Sequence, residues 1–336
     1  MAARATVVPA PLRTLRWAGG SIELGGRTRI LGVVNVTPDS FSDGGAFLEP
    51  TAAVERALRL AEEGADLIDI GGESTRPGAT ELELEEEWGR VGPVLEGLHG
   101  RLARPISIDT RHPVIAQRAL DAGASIVNDV SGLRDPEMRR VVARTGAAAV
   151  VMHMRGTPAT MVSHARYVDV VGEVGRELTE SVRRARVEGI GADRILIDPG
   201  LGFAKTAAQS LELLTRLGEL ATLGYPVLVG ASRKSFLGSL GGGDAPSDRL
   251  EASLAAAVVA ALSGAAVVRV HDVAPTVRAL AVADAIRRGR ERMAEVRSRS
   301  GSSAAARSRL RQPAPSRRAS ARRPPAPSRK RPATRT

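Results

Sequence analysis

Eight short apolar runs recur along this chain, and each delivers a polar residue at or beyond its C-terminal end. They are Leu31-Gly-Val-Val-Asn35, Leu67-Ile-Asp-Ile70 followed by Gly-Gly-Glu-Ser-Thr75, Pro105-Ile-Ser-Ile-Asp109 and Ser125-Ile-Val-Asn-Asp129. The remaining four are Val150-Val-Met-His153, Ile195-Leu-Ile-Asp198, Val227-Leu-Val-Gly-Ala-Ser232 and Val267-Val-Arg-Val-His271. Apolar runs of this length, bounded by turn-forming residues, are what strands buried on both faces require. Helical stretches fall between them: 51–63, 82–97, from Pro113 to a stop at Gly123, 136–144, 167–188, 208–220, 249–263 and 275–288. Proline starts and glycine stops punctuate several of these. Eight strand–helix units without an internal repeat predict an α/β fold, a (β/α)8 TIM barrel. An open doubly wound sheet would place a glycine fingerprint after its first strand, and Leu31–Gly45 has none. Gly19-Gly20 and Gly25-Gly26 predict a short hairpin within 15–29, ahead of the barrel.

The net charge of +11 suggests a nucleic-acid partner until it is located. Residues 297–336 hold 13 Arg and Lys and no Asp or Glu, so the rest of the chain carries −2. That segment, rich in Arg, Ser and Pro, lacks the apolar residues needed to form a core and is expected to be disordered. A solvated tail is the plain reading, and weak contact with nucleic acid or anionic surfaces the alternative. The expected division is a flexible leader over 1–12, the barrel over 13–296 and the tail over 297–336. There is no cysteine, which excludes disulfides and thiolate chemistry and fits a reducing compartment. No signal peptide is evident, and the most apolar stretch, Leu254–Val268, is broken by Ser263-Gly264. A soluble cytoplasmic protein with no membrane contact is expected.

In a barrel the C-terminal strand ends converge on one face, where catalysis belongs. Asp109, Asn128 and Asp198 would meet there, able to bind a flat heterocycle with several N–H donors or a divalent cation. For any one such Asp the bland alternative is a cap on the following helix. Arg76, Arg233-Lys234, Arg269 and His271 form a cationic group suited to phosphate or diphosphate. Singly, each reads as a solvated charge, a surface pair or a satisfied core histidine. Beside an Asn able to reach Mg2+, the group favours a diphosphate leaving group. His99, His112 and His164 read as surface or loop residues without a role.

The chain strongly resembles the dihydropteroate synthases of the pterin-binding family. The motifs that carry the resemblance are Asn35-Val-Thr-Pro-Asp-Ser-Phe-Ser-Asp-Gly, Asp69-Ile-Gly-Gly-Glu-Ser-Thr-Arg-Pro-Gly78, Ile108-Asp-Thr110, Asn128-Asp129, Met152-His-Met154, Asp198-Pro-Gly200, Gly230-Ala-Ser-Arg-Lys-Ser235 and Arg269-Val-His-Asp272. The resemblance implies a folate-pathway transferase, as a class a sulfonamide target, that joins 7,8-dihydropterin-6-ylmethyl diphosphate to 4-aminobenzoate with Mg2+. It implies Asn35 at the magnesium–diphosphate and Asp109, Asn128, Asp198 and Lys234 on the pterin ring, with Met152 lining the pocket. Arg269 and His271 would grip the diphosphate, Arg269 also covering the ring. Ser232, Lys234 and Phe203 would receive the aminobenzoate. Thr75, Arg76 and Pro77, with Phe41 and Asp43 of the first loop, would form a mobile lid. Catalytic weight would fall on Lys234, Arg269, His271 and Asp109. A homodimer is also implied.

One departure is Ala204, where the pattern would have Gly; Ala costs little unless its φ must be positive. Two other readings stand beside the synthase. A folate-dependent methyltransferase of the same family would need no diphosphate site. A nucleic-acid role would lie in the tail.

Overall fold

The computed structural model describes residues 12–37, 50–76, 78–79, 81–243 and 245–289. The chain divides into two units, Met1–Glu291 and Arg292–Thr336, and every described residue falls in the first. The expected leader (but for Leu12), the expected tail, and Phe41, Asp43 and Pro77 of the expected lid lie outside the described residues.

The expected hairpin is present: β1 (Arg13–Trp17) pairs antiparallel with β2 (Gly20–Leu24). Eight strands follow: β3 (Arg29–Asn35), β4 (Leu67–Gly71), β5 (Ile106–Asp109), β6 (Ile126–Asp129), β7 (Ala148–Met152), β8 (Ile195–Asp198), β9 (Leu228–Val229) and β10 (Val267–Val270). All pair in parallel, in the order β8-β7-β6-β5-β4-β3-β10-β9. A parallel bridge between Ile197 and Val227 joins the two ends, so the sheet closes on itself. This is the predicted (β/α)8 barrel.

Side chains alternate along a strand, and here the alternation separates two cores. Ile30, Val34, Ile68, Ile70, Ile108, Val127 and Ile197 belong to the large outer core beneath the helices. Leu31, Leu67, Ile126, Val150, Leu196, Leu228 and Val267 fill the barrel interior. Leu15 and Leu24 of the hairpin join that interior cluster, each 1% exposed, and plug the N-terminal end of the barrel. Burial of each such side chain is worth about 1.5–3 kcal/mol. Two residues further along the same inward faces come Asp69, Asn128, Met152, Asp198 and Arg269. Sequence periodicity alone therefore stacks the polar set on the apolar floor.

Helices cover the outside: α1 (Pro50–Glu62), α2 (Leu84–Leu98), α3 (Pro113–Asp121), α4 (Pro136–Thr145), α5 (Val170–Val187), α6 (Ala207–Thr215), α7 (Leu217–Ala221), a single turn α8 (Ser235–Leu237), α9 (Leu250–Leu262) and α10 over 273–289. Local chemistry sets their ends. Asp135 accepts the Glu137 N–H at 2.7 Å to start α4, and Gly146 in the left-handed region stops it. Thr206 and Gln209 form a capping box on α6. The single helix expected over 208–220 is in fact two, because Arg216 leaves helical geometry (φ −101°). The break lets α7 bury Leu217 and Leu220 while α6 buries Leu213 and Leu214. At the far end Asp284 accepts from the Thr28 backbone at 3.0 Å and its hydroxyl at 2.9 Å, locking α10 to the start of β3. No helix among the described residues is long and apolar enough to cross a membrane.

Candidate active site

The mouth of the barrel is organised by Arg269, which projects inward from β10. Its Nε donates to Asp69 Oδ2 and its Nη2 to Asp109 Oδ2, each at 2.6 Å. Asn128 donates to the same Asp69 oxygen at 3.1 Å. Four strands thus meet in one hydrogen-bonded chain, Asn128–Asp69–Arg269–Asp109. Asp69 is fully buried, and Asp69 Oδ1 and Asp109 Oδ1 have no hydrogen-bond partner among the described residues. Buried carboxylate oxygens without donors are costly, and a ligand rich in N–H groups would satisfy them.

Burial pushes the Asp109 carboxyl up to about 7, with Arg269 opposing and Asp69 reinforcing the shift. Asp198 is also raised by burial, against Lys234 and the Gly200 N–H that donates to its Oδ1 at 2.7 Å. Burial lowers Lys234 to about 8, with Asp198 the strongest opposing influence. Burial likewise disfavours the Arg269 charge, but Asp69 and Asp109 outweigh it and hold the guanidinium raised.

A second wall is the turn from Pro199 to Lys205. Lys234 Nζ donates to the Leu201 carbonyl and stands 4.2 Å from the Phe203 ring centroid, a cation–π contact. Gly200 has φ 64°, and a Cβ there would collide with the His153 carbonyl, so only glycine fits. Ala204 has φ 48°, the condition under which the departure from Gly does carry a cost. Its methyl group is buried with Val130, Met152, Met154 and Met161.

His271 follows β10. Its N–H donates to Ser232 Oγ at 3.2 Å, and its Nδ1 lies 3.1 Å from the same oxygen. Burial, with Arg269 and Arg233 nearby, lowers His271 to about 3. Without a bound anion it is a neutral donor rather than the cation expected from sequence. Arg233 is also not a free member of the cationic group: it pairs with Asp272 through Nε at 3.0 Å and Nη2 at 2.6 Å. Asn35 ends β3 half-buried, Thr75 is half-buried and Arg76 exposed on the loop after β4.

Sequence reasoning missed Asp69. A carboxylate inside Leu-Ile-Asp-Ile, a run reading as buried on both faces, was the available signal. It also passed over Lys205, 8% exposed behind Phe203. His112 is not a surface residue: its ring is mostly buried and bridges Glu87 (2.6 Å) and Glu81 (3.2 Å). Asp129 is structural, accepting from Ser131 N and Oγ and from Leu133 N.

A closed barrel whose C-terminal mouth gathers buried carboxylates, an amide and cations defines a binder of polar heterocycles. The model of the pterin binding enzyme family matches residues 31–271, and the chain belongs to that family. The dihydropteroate synthase of Escherichia coli K12 is 44% identical over 267 residues, 80% of this chain and 94% of the relative. A probable bifunctional folylpolyglutamate synthase/dihydropteroate synthase of Haloferax volcanii is 48% identical over 260 residues, 77% of this chain and 31% of that longer protein. Two solved structures of Xanthomonas albilineans dihydropteroate synthase also match. The one with 4-aminobenzoic acid is 49% identical with a TM-score of 0.77, covering 82% of this chain and 98% of that one. The one with 7,8-dihydropteroate is 46% identical with a TM-score of 0.74, covering 81% and 98%. Within the pterin-binding family the chain falls among the dihydropteroate synthases, which are transferases.

Proposed function

We propose that the chain condenses 7,8-dihydropterin-6-ylmethyl diphosphate with 4-aminobenzoate to give 7,8-dihydropteroate and diphosphate, a step of folate biosynthesis. The observation that carries the reading is Arg269 held between Asp69 and Asp109 beside Asn128, with buried Asp198 and Lys234 at the same mouth. Asp109, Asn128 and Asp198 accept from the pterin's ring donors, Lys234 meets its acceptors, and Met152 lines the pocket. Arg269 covers the ring and, with His271, holds the diphosphate. Phe203 stacks on the aminobenzoate, whose polar ends face Ser232 and Lys234. Thr75 and Arg76, on the loop after β4, close over the site.

The bond from the pterin methylene to the diphosphate oxygen breaks first, and the leaving group takes the electron pair. Arg269 and His271 stabilise that charge, while the carboxylates stabilise the pterin cation left behind. The aromatic amine, neutral at pH 7, attacks the methylene with its lone pair and loses a proton to solvent. No dedicated general base is needed, and exclusion of water until the carbon–nitrogen bond has formed protects the cation.

Mg2+ belongs to the proposal. Among the described residues no three His, Cys, Asp or Glu side chains gather to hold a metal. Asn35 at the end of β3 is the residue that would hold an ion carried in with the diphosphate, since Mg2+ is commonly bound through substrate phosphates. When bound, it would supply further charge neutralisation on the leaving group.

A homodimer and a cytoplasmic setting complete the reading. α9 is built almost entirely of apolar residues and leaves Val259 42% exposed, and α10 leaves Val282 62% exposed, apolar side chains of the kind a second copy would cover. The test is dihydropteroate formation by the purified chain with and without Mg2+. Magnesium-dependent product that is lost in Asp109→Ala and Lys234→Ala supports the reading; no product from the folded wild type overturns it.

A further inference from the structure

Behind the site wall lies a buried cation that the reaction above does not use. Lys205 Nζ faces three acceptors: His153 Nδ1 at 2.9 Å, the Phe203 carbonyl at 2.9 Å and the His153 carbonyl at 3.4 Å. An ammonium group has three donors, so all are engaged. Because His153 Nδ1 accepts, its proton sits on Nε2, which donates to Glu177 Oε2 of α5 at 3.0 Å. Glu177 is gripped in turn by Arg155, whose guanidinium lies 4.0 Å from the Tyr167 ring centroid. A continuous line of polar contacts runs from the outer helix α5 through His153 to the back of the Phe203 turn.

We propose that Lys205 is a positioning residue for the second substrate: it staples the Phe203 carbonyl to His153 and so fixes the ring on which 4-aminobenzoate stacks.

The turn needs such a staple. It is short, it contains Ala204 at φ 48°, and its own backbone closes it through the Phe203 N–H and the Gly200 carbonyl at 3.0 Å. Lys234 holds it from the pocket side through Leu201, and Lys205 holds it from behind through Phe203. A methionine has nearly the length of lysine and would avoid the burial cost that lowers the Lys205 pKa well below its ordinary value. What methionine could not supply is the two-sided grip on backbone carbonyls. Phe203 is half-buried and packs on the cluster of Met152, Met154 and Met161, so where its ring lies depends on where its backbone is held as well as on that packing.

The inference rests on the reaction proposed above, and steady-state kinetics with both substrates tests it. Lys205→Met is expected to raise KM for 4-aminobenzoate about tenfold or more, with KM for the pterin diphosphate and kcat within about threefold of wild type. Amide hydrogen exchange should quicken over 199–206 and stay unchanged in the barrel strands. Glu177→Ala, which cuts the line at its solvent end, should raise the same KM by a smaller factor, and Glu177→Gln, which keeps an acceptor for His153, should return it toward wild type. Equal shifts in both KM values, or an unchanged KM for 4-aminobenzoate, overturn the inference. Should Lys205→Met fail to fold, the Glu177 pair decides. A wild type that forms no dihydropteroate would sink the reaction reading instead, a result visible in the same assay.

Discussion

Ala204 shows how opposing small effects meet at one residue. A left-handed φ costs an alanine roughly 1–2 kcal/mol relative to glycine. Against this, alanine saves roughly 0.4–1 kcal/mol of unfolded-state entropy, and its buried methyl contributes about 0.8 kcal/mol. These nearly cancel, which accounts for Ala where the family pattern would have Gly. Ala204→Gly should therefore leave stability within about 1 kcal/mol of wild type, whereas β-branched Ala204→Val should lose at least about 2 kcal/mol. Urea denaturation of the three proteins checks this, and a large loss in the glycine variant would show the strain to be unimportant. Titration behaviour is also set residue by residue. Asp109 at about 7 must give up a proton to accept pterin N–H donors, so pterin affinity should fall as pH drops below about 7. Lys234 at about 8 sheds its charge above that value, which should weaken binding on the alkaline side. Calorimetric titration with a pterin from about pH 6 to 9 should give a maximum between the two, and a flat profile would contradict both assignments.

Among elements, the loop joining β4 to α2 is the one most dependent on others for its shape. Arg111 clamps Glu73 through Nε and Nη2, both at 3.0 Å, and also reaches Glu81 at 3.0 Å. His112 ties Glu81 to the buried Glu87 of α2. Thr75 and Arg76 hang between these anchors. Hydrogen bonding to Glu87 raises the His112 pKa despite burial. A group raised on folding stabilises fully below its unfolded pKa of about 6.5 and loses that contribution as pH rises through the native value. The stability advantage of wild type over His112→Gln should accordingly be largest near about pH 6 and shrink toward about pH 9, followed by thermal melting; a pH-independent gap would rule the clasp out. None of this was legible in the sequence, and the reason is physical. The barrel could be read because strand and helix periods are local, and Asp109, Asn128, Asp198, Arg269 and His271 because each lies at or within one residue of a strand's C-terminal end. The partners of Glu73, Asp69 and Lys205 lie 38, 200 and 52 residues away, and no local period encodes such pairs.

At the scale of the whole molecule, charge and chemistry are segregated along the chain. The family match ends at 271 and the last described helix at 289, whereas 13 of the 48 Lys and Arg lie in 297–336. The barrel needs none of that charge, since its own cations are consumed in pairs such as Arg269 with Asp69 and Arg233 with Asp272. A basic run without aromatic residues offers attraction to polyanions but no stacking surface for bases. Its binding should hence be sequence-independent and collapse with salt, with log K falling linearly in log salt concentration. The full chain should be retained on RNA or on vesicles containing anionic lipid at about 50 mM salt and released by about 200 mM, while a chain ending at Val296 should pass through at both. The kcat and both KM values should be the same for the two chains, because no residue assigned to the site lies beyond His271. Retention that survives high salt would reveal a specific partner, and a change in kinetics on truncation would place the tail at the barrel mouth.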